Sequence, residues 1–427
     1  MFGMVQKTQV RQREVFKFSP FSRKQQQVLT WWLPNSPYQS YDMLIADGSI
    51  RSGKTISMID GFLTWSLHTF QGKAFIISGR SAGALKRNVL RPMWQILRAK
   101  GIGYYYNRSE NYVEIGSNTY YLFGASTEAS QDVIQGLTAA GAYADEAALF
   151  PQSFIEQMIG RCSVPGARIW MNCNPESPYH FLKTDYLDRA KEKHIVHLHF
   201  TMDDNLSLSP AVKERYERLY SGMWYRRMIL GEWVLAEGLI YDMFSDELLF
   251  DEDVFTQSHQ ASCRRYIALD YGTTNPMVFL DIYDDGTTLW VANEYYYDSR
   301  KERRQKTDEL YADDFERFVG GKYPDMVVVD PSAASFKVVL RGRGYRVKDA
   351  DNNVNDGIRL VAMLMSCRKL RVHRRCENTR RELSNYVWDE KAAQRGEEKP
   401  LKINDHACDA LRYFCKTLLP KWRIQQL

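Results

Sequence analysis

The stretch Met43-Leu44-Ile45-Ala46-Asp47-Gly48-Ser49-Ile50-Arg51-Ser52-Gly53-Lys54-Thr55 decides how the first half of this chain is read. Met43 to Ala46 is a short apolar run of the kind a buried strand shows, and from Thr55 to Phe70 the apolar residues recur at helical spacing. Between them, Gly48 to Thr55 fits G-x-x-x-x-G-K-[ST] without a gap. Glycines let the backbone curl until successive N–H groups point inward at phosphate oxygens, and the helix start adds partial positive charge. Gly48, Ser49, Ile50, Arg51, Ser52 and Gly53 then form the cradle, Lys54 reaches the β- and γ-phosphates, and the Thr55 hydroxyl meets a Mg²⁺ ion.

Outward from this loop the same alternation continues. Ala74 to Ile77 precedes a helical pattern from about Ala84 to Ala99, and Arg168 to Met171 is a further buried-strand candidate. Strands alternating with helices imply a parallel sheet covered on both faces. Tyr104 to Phe123 reads as a hairpin pair, with turns at 107–110 and 116–118. A phosphate loop that supports hydrolysis needs a second acid for the metal and a group to orient water. Asp145 and Glu146 supply both: Asp145 holding Mg²⁺ through water, Glu146 polarising the attacking water. No N-K-x-D guanine signature is present, so ATP is the expected nucleotide. Asn172-Cys173-Asn174-Pro175 follows a strand and places amides where they sense a γ-phosphate; a plain Asn-Pro turn is the alternative.

From 231 to 262 the pattern loosens into an acidic stretch, and a second α/β pattern follows, so the expected division is a motor domain over 1–235, a linker over 236–262 and a second domain over 263–427. Tyr266 to Leu269, Met277 to Ile282 and Thr288 to Asn293 read as a three-stranded meander, followed by a helix from about Thr307, a strand at Met326 to Val329 and a last helix from about Asp405. Asp270 and Asp330 each end an apolar strand, while Asp405, His406 and Asp409 share a helical face. Carboxylates from two strands and a helix suit hard divalent cations, and two Mg²⁺ or Mn²⁺ ions ~4 Å apart stabilise both the attacking and leaving oxygens of a phosphodiester. That is the logic of an RNase H-like nuclease. Asp405 is equally a helix cap, and Glu294 is a further acid on a central strand. His194, His197 and His199 invite comparison with a metal set, but only the last two share a strand face, which favours surface histidines.

Composition bounds the rest. The chain has 427 residues, 44% hydrophobic and 26% charged, which suits a globular protein of two or three domains. No apolar run approaches the ~18 residues of a membrane span, Met1 to Arg13 is polar and basic, and the seven cysteines form no C-x-x-C pair, so a reducing cytoplasm and no membrane partner are expected. Residues 1–260 hold 27 Lys+Arg and 27 Asp+Glu, leaving the +5 excess to the remainder. Lys337 to Arg381 carries 13 basic residues against four acids, read as nucleic-acid backbone contact or as a solvated face.

GSIRSGKT, the Asp-Glu pair, NCNP, EGLIYDMF at 237–244, VVVDPSA and DHACDALRY, in this order, make the sequence resemble the large terminase subunit of tailed double-stranded DNA bacteriophages, from about Phe18 to Phe414. The resemblance implies an N-terminal P-loop (RecA/ASCE-like) ATPase with a parallel sheet and a C-terminal RNase H-like nuclease with a mixed sheet. It implies a motor that drives double-stranded DNA into a procapsid and an endonuclease that cuts concatemers, in the host cell cytoplasm. Implied partners are DNA, a small terminase subunit and the portal protein, with a homo-oligomeric ring on the portal and a monomer in solution as the alternative. Residue by residue, Lys54, Thr55, Asp145 and Glu146 match the ATPase residues, Asn172 to Pro175 the coupling motif, and Asp270, Asp330 and Asp409, with His406 beside them, the nuclease. Gln25, after Phe18-Ser19-Pro20, matches the adenine-contacting segment. Arg80 and Arg161 are candidates for an arginine completing a neighbour's site, with Arg51 inside the loop itself. A repair helicase-nuclease and a non-catalytic DNA-binding assembly protein are the competing readings; the first needs a second RecA-like lobe, for which 427 residues leave no room.

Overall fold

Met43–Gly48 forms β1, buried throughout, in a computed structural model that describes residues 20–272 and 275–419. The chain divides into two units, the first running to Pro175 with His180–Ser209 and Leu230–Glu232, the second made of Glu176–Tyr179, Pro210–Ile229 and the chain from Trp233.

In the first unit β2 is Ala74–Gly79, β3 Tyr104–Asn107, β4 Tyr112–Ile115, β5 Asn118–Gly124, β6 Gly141–Asp145, β7 Arg168–Asn172 and β8 Ile195–Phe200. They form an eight-stranded sheet in the order β3-β4-β5-β2-β6-β7-β1-β8. Across the sheet from β5 to β8 every neighbouring pair is parallel, and the Tyr104–Phe123 segment adds the antiparallel edge β3-β4-β5. The helix Lys54–Thr69 crosses this sheet and buries Phe62 and Trp65 against Trp170 of β7, with ring centroids 6.2 Å apart in both pairs. Aromatic bulk at that crossing requires a strand start without a side chain. A Cβ on Gly141 would lie 2.5 Å from the Trp65 ring and 2.7 Å from the Arg168 carbonyl oxygen.

β8 sets His197 and His199 against Asp47 of β1, whose carboxylate is buried: His197 Nε2 lies 2.8 Å and His199 Nδ1 3.2 Å from Asp47 Oδ1. The hydrogen bond to Asp47 raises the His199 pKa. These histidines therefore hold a buried charge, and His194 stands apart, stacked on Tyr41.

In the second unit β9 is Leu249–Phe250, β10 Arg264–Asp270, β11 Met277–Asp284, β12 Leu289–Tyr297, β13 Met326–Val329, β14 Val347–Asp349 and β15 Leu370–His373. The sheet order is β14-β13-β10-β11-β12-β15-β9. β10, β11 and β12 are the antiparallel meander, and β13 joins β10 in parallel, so this sheet is mixed, as expected of this half of the chain. Ile267, Leu269, Phe279, Val327 and Val329 pack on Phe315 and Tyr311 of the helix Asp308–Val319.

Two sequence expectations change here. Segment 236–262, read as a linker, is folded into the second unit: Ile240 and Tyr241 are buried, the Ile240 N–H donates to the Tyr386 carbonyl (2.7 Å), and Leu249–Phe250 is the edge strand β9. Its apolar residues join a cluster of Phe250, Phe255, Cys263, Tyr283 and Ala292. The domain divisions at 235 and 262 accordingly differ from the observed units, which also place Pro210–Ile229 in the second. The basic run Lys337 to Arg381 is partly neutralised by carboxylates in the second unit. Arg343 pairs with Glu309 (2.6 Å) and Asp313 (2.8 Å), Lys337 with Asp349 (2.7 Å), Arg374 with Asp251 (3.2 Å), and Arg375 with Glu252.

Gly141→Ala should lower the stability of the first unit by about 1–3 kcal/mol, the cost of overpacking against an indole and a carbonyl that cannot both retreat. Denaturant melts of the full chain read by tryptophan fluorescence check this, and an unshifted midpoint would contradict the packing described.

Candidate active sites

The first site lies at the carboxyl end of β1. Gly48, with φ +125°, turns the chain so tightly that a Cβ there would meet the Phe200 carbonyl oxygen at 1.9 Å. The Ser49 N–H donates to that oxygen (2.9 Å), so this amide belongs to the fold rather than to the cradle. Gly53, also in the left-handed region at φ +84°, starts the helix. Lys54 lies beneath the loop, donating to the carbonyls of Gly48 (3.0 Å) and Ser49 (2.7 Å), to Ser52 Oγ (3.2 Å) and to Asn174 Oδ1 (3.3 Å). Burial pushes its ammonium down to about 8, and the nearby Cys173, Asp47, Asp145 and Glu146 only partly oppose this.

Asn172 is the junction of the site. Its amide nitrogen donates to Asp145 Oδ1 (3.0 Å), Thr55 Oγ1 (3.2 Å) and the Tyr143 hydroxyl (3.3 Å), while its carbonyl accepts the Glu146 N–H (2.9 Å). Thr55 and Tyr143 donate in turn to Asp145 Oδ1, at 3.2 and 3.0 Å. Asp145 is buried and its pKa is raised by desolvation, against these hydrogen bonds. Glu146 is the first residue beyond β6, with φ +62°, a left-handed conformation that costs a non-glycine residue about 1–2 kcal/mol and marks a constrained position.

These groups face a cleft of about 480 Å³ lined by Ile50 to Ile56, Asn88, Asp145, Glu146, Asn172, Cys173, Asn174 and Asn205. Nothing local in sequence announces Asn88, Asn205 or Tyr143; Asn205, whose amide donates to the Arg51 carbonyl (2.7 Å), comes from beyond β8. Gln25 is not part of the lining. Its amide closes a capping box with Ser22 and donates to the Gly53 carbonyl (3.4 Å), bracing the loop. Phe18 and Ser19 lie outside the described residues. Of the arginine candidates, Arg51 lines the cleft, and Arg80 and Arg161 do not.

The second site gathers Asp270 from the end of β10, Asp330 just beyond β13, and His406 and Asp409 from the helix His406–Leu418. His406 Nδ1 lies 2.8 Å from Asp270 Oδ2. Burial, with the charges of Asp409 and Asp330 adding to it, pushes the Asp270 carboxyl up to about 6 against the His406 hydrogen bond. Asp330 is burdened by burial too, but hydrogen bonds from the Ser332 N–H (2.7 Å) and the Tyr413 hydroxyl (2.8 Å) outweigh it and hold its pKa low. Asp409 accepts from Lys402 Nζ (2.8 Å) and Arg412 Nε (2.9 Å). Among the described residues no three His, Cys, Asp or Glu side chains are placed so that together they hold a metal ion. The three aspartates are nevertheless hard oxygen donors, and the Lys402 ammonium, on a side chain 58% exposed, already bridges Asp405 and Asp409 as a cation would.

Asp405 stands at the cap position, yet its side chain makes no capping bond and lies 2.9 Å from Lys402. The capping carboxylate is Glu382, which accepts the Ala407 N–H (2.6 Å) and the Tyr296 hydroxyl (2.7 Å). Glu294 likewise caps the helix Glu377–Asn385 through the Asn378 and Thr379 N–H groups and is not one of the gathered acids.

Residues 45–245 match the family model for the N-terminal part of T4likevirus-type terminase large subunits. The large terminase of a thermophilic bacteriophage is 48% identical over 94% of this chain and 99% of its own, with a TM-score of 0.89. The same protein in complex with ADP and in complex with ATP-γ-S superposes with a TM-score of 0.86 at 47% identity, over 93% of this chain and 99% of that one in each case. No curated protein matches significantly. With nearly half of its residues identical to a terminase along almost its whole length, this chain belongs to the bacteriophage large terminase subunits, the DNA-packaging ATPase and nuclease family.

Proposed function

We propose that the first unit hydrolyses ATP at the β1 cleft to drive double-stranded DNA into a procapsid, and that the second cuts concatemeric DNA at Asp270, Asp330 and Asp409. The observation that carries the first assignment is the convergence of Lys54, Thr55, Asp145, Glu146, Asn172 and Asn174 on one cleft. The nucleotide complexes of the thermophilic phage relative support it. Lys54 meets the β- and γ-phosphates, the loop amides from Ile50 to Gly53 face the phosphate oxygens, and Glu146 orients and polarises the attacking water. Asn174, which accepts a hydrogen bond from the Lys54 ammonium, registers a γ-phosphate there by whether that bond persists.

Thr55 and Asp145 would hold Mg²⁺ in this site, and Asp270, Asp330 and Asp409 two Mg²⁺ or Mn²⁺ ions in the other, where such ions neutralise charge developing on phosphate oxygens. Asp405 is an outer member of the second set. Lys402 must leave Asp409 for the carboxylate to bind a cation, and its exposed stem permits this. His406 fixes the orientation of Asp270 and can exchange a proton with it. The reading places the protein in the infected host cell, with the small subunit and the portal as partners and a ring on the portal as the working assembly. Among the described residues no helix is long and apolar enough to cross a membrane.

Lys54→Ala should lower ATP turnover at least ~10²-fold by removing the phosphate's charge partner, with plasmid cutting by the same preparation unchanged. Glu146→Gln should bind a fluorescent ATP analogue within about threefold of wild type and still lose turnover by ~10²-fold; equal loss of binding would make Glu146 structural. Asp270→Asn, Asp330→Asn and Asp409→Asn should each cut Mn²⁺-supported nicking at least ~10²-fold while ATP hydrolysis persists, and Asp405→Asn should cost less. A member of the triad that nicks at the wild-type rate would be removed from the site.

A further inference from the structure

The sheet order gives the cutting site a neighbour that counting charges along the chain overlooks. β10 and β13 run in parallel and β11 runs against β10, pairing Asp270 with Val278; β12 runs against β11 and pairs Tyr297 with Met277. The chain therefore leaves β12 at the same sheet end as Asp270 and Asp330. There it enters Asp298-Ser299-Arg300-Lys301-Glu302-Arg303-Arg304-Gln305-Lys306, five basic residues against two acids.

This loop is built rather than loose. Asp298 Oδ1 accepts the Arg300 N–H (3.0 Å), the Arg304 N–H donates to the Ser299 carbonyl (3.1 Å), the Tyr297 hydroxyl donates to the Arg304 carbonyl (2.8 Å), and Lys306 Nζ lies 3.9 Å from the centre of the Tyr297 ring. It also touches the segment that follows Asp270: Arg300 donates to Asn275 Oδ1 (3.4 Å), and just beyond the loop Asp308 accepts from the Tyr271 hydroxyl (2.7 Å). Lys306 is paired with Asp314. Arg300, Lys301, Arg303 and Arg304 are exposed, and no carboxylate of a described residue pairs with their side chains. In the longer run 337–381 six of the 13 basic residues, Lys337, Arg343, Arg359, Arg368, Arg374 and Arg375, have carboxylate partners among the described residues, so the contrast is one of degree as well as of position. Unpaired like charges on one short turn repel each other, and an external polyanion is what relieves them.

We propose that Arg300, Lys301, Arg303 and Arg304 grip the phosphate backbone of duplex DNA beside the cutting site. The proposal rests on the reading of Asp270, Asp330 and Asp409 as that site. β12 lies two strands from β10, about 10 Å at ~4.8 Å per strand, so the loop and the acids are close enough to meet one duplex. Contacts of this kind carry no base information, and they hold the duplex in register with the acids.

The test uses the full chain and a plasmid nicking assay with Mn²⁺ over a KCl series, with Arg300→Ala/Lys301→Ala/Arg303→Ala/Arg304→Ala, the control Arg368→Ala/Arg374→Ala/Arg375→Ala, and Asp270→Asn. The loop variant should raise KM at least tenfold with kcat within about twofold, and its plot of log(kcat/KM) against log[salt] should flatten by ~0.9 for each phosphate no longer held. Lysine at all four positions should restore KM, because a point charge suffices, and the control should match wild type. A loop variant with wild-type KM and salt slope, or one that loses kcat and is not rescued by lysine, overturns the proposal while leaving the acids in place. Persistent nicking by Asp270→Asn overturns the site itself, and the loop's role with it.

Discussion

Charge buried where strands end is the constraint on which both halves of this molecule depend. Lys54 and Asp145 lie at the carboxyl ends of β1 and β6, Asp270 at that of β10, and all three are under a tenth exposed. Desolvation drives each toward its neutral form: Lys54 down to about 8, Asp145 upward and Asp270 up to about 6. On the proposed reading, an anion at Lys54 or a cation at the carboxylates would reverse these shifts and return the free energy stored in burying them. Groups poised in this way are poor stabilisers and good receptors.

What keeps such charges in place is a second layer of neutral polar groups. Asn172 ties Asp145, Thr55, Tyr143 and the Glu146 backbone into one network, so that these groups move together or not at all. In the second unit Glu382 caps the helix that carries His406 and Asp409, and Tyr413 and Ser332 fix Asp330. Orientation of this kind is worth as much to a phosphoryl-transfer site as the residues that touch the phosphate, because such chemistry is mostly positioning and electrostatics.

Sequence disclosed what is local. The loop Gly48–Thr55, the acids after short apolar strands and the i, i+4 pair Asp405 and Asp409 are spacing signals within a few residues, and the three-stranded meander follows from alternation and a turn at Asp284–Gly286. What stayed hidden depends on distance along the chain. Arg374 finds Asp251 and Arg375 finds Glu252 across more than a hundred residues, so a run that looks strongly basic is partly neutralised, while a shorter loop at 298–306 keeps most of its charge. Glu382 and Glu294 cap helices they do not belong to, which no local capping pattern reveals. The acidic stretch after residue 236 lacks a period because it follows the surface of another element, pairing Leu239 with Val387.

The account stands on metal and phosphate meeting at these two strand ends, and the most direct measurement is where manganese binds. Crystals of the full chain grown with Mn²⁺ and ATP-γ-S, with anomalous scattering recorded, should place manganese beside Thr55 and Asp145 in one unit and among Asp270, Asp330 and Asp409 in the other. Manganese ordered elsewhere, with either of these groups bare, would contradict it.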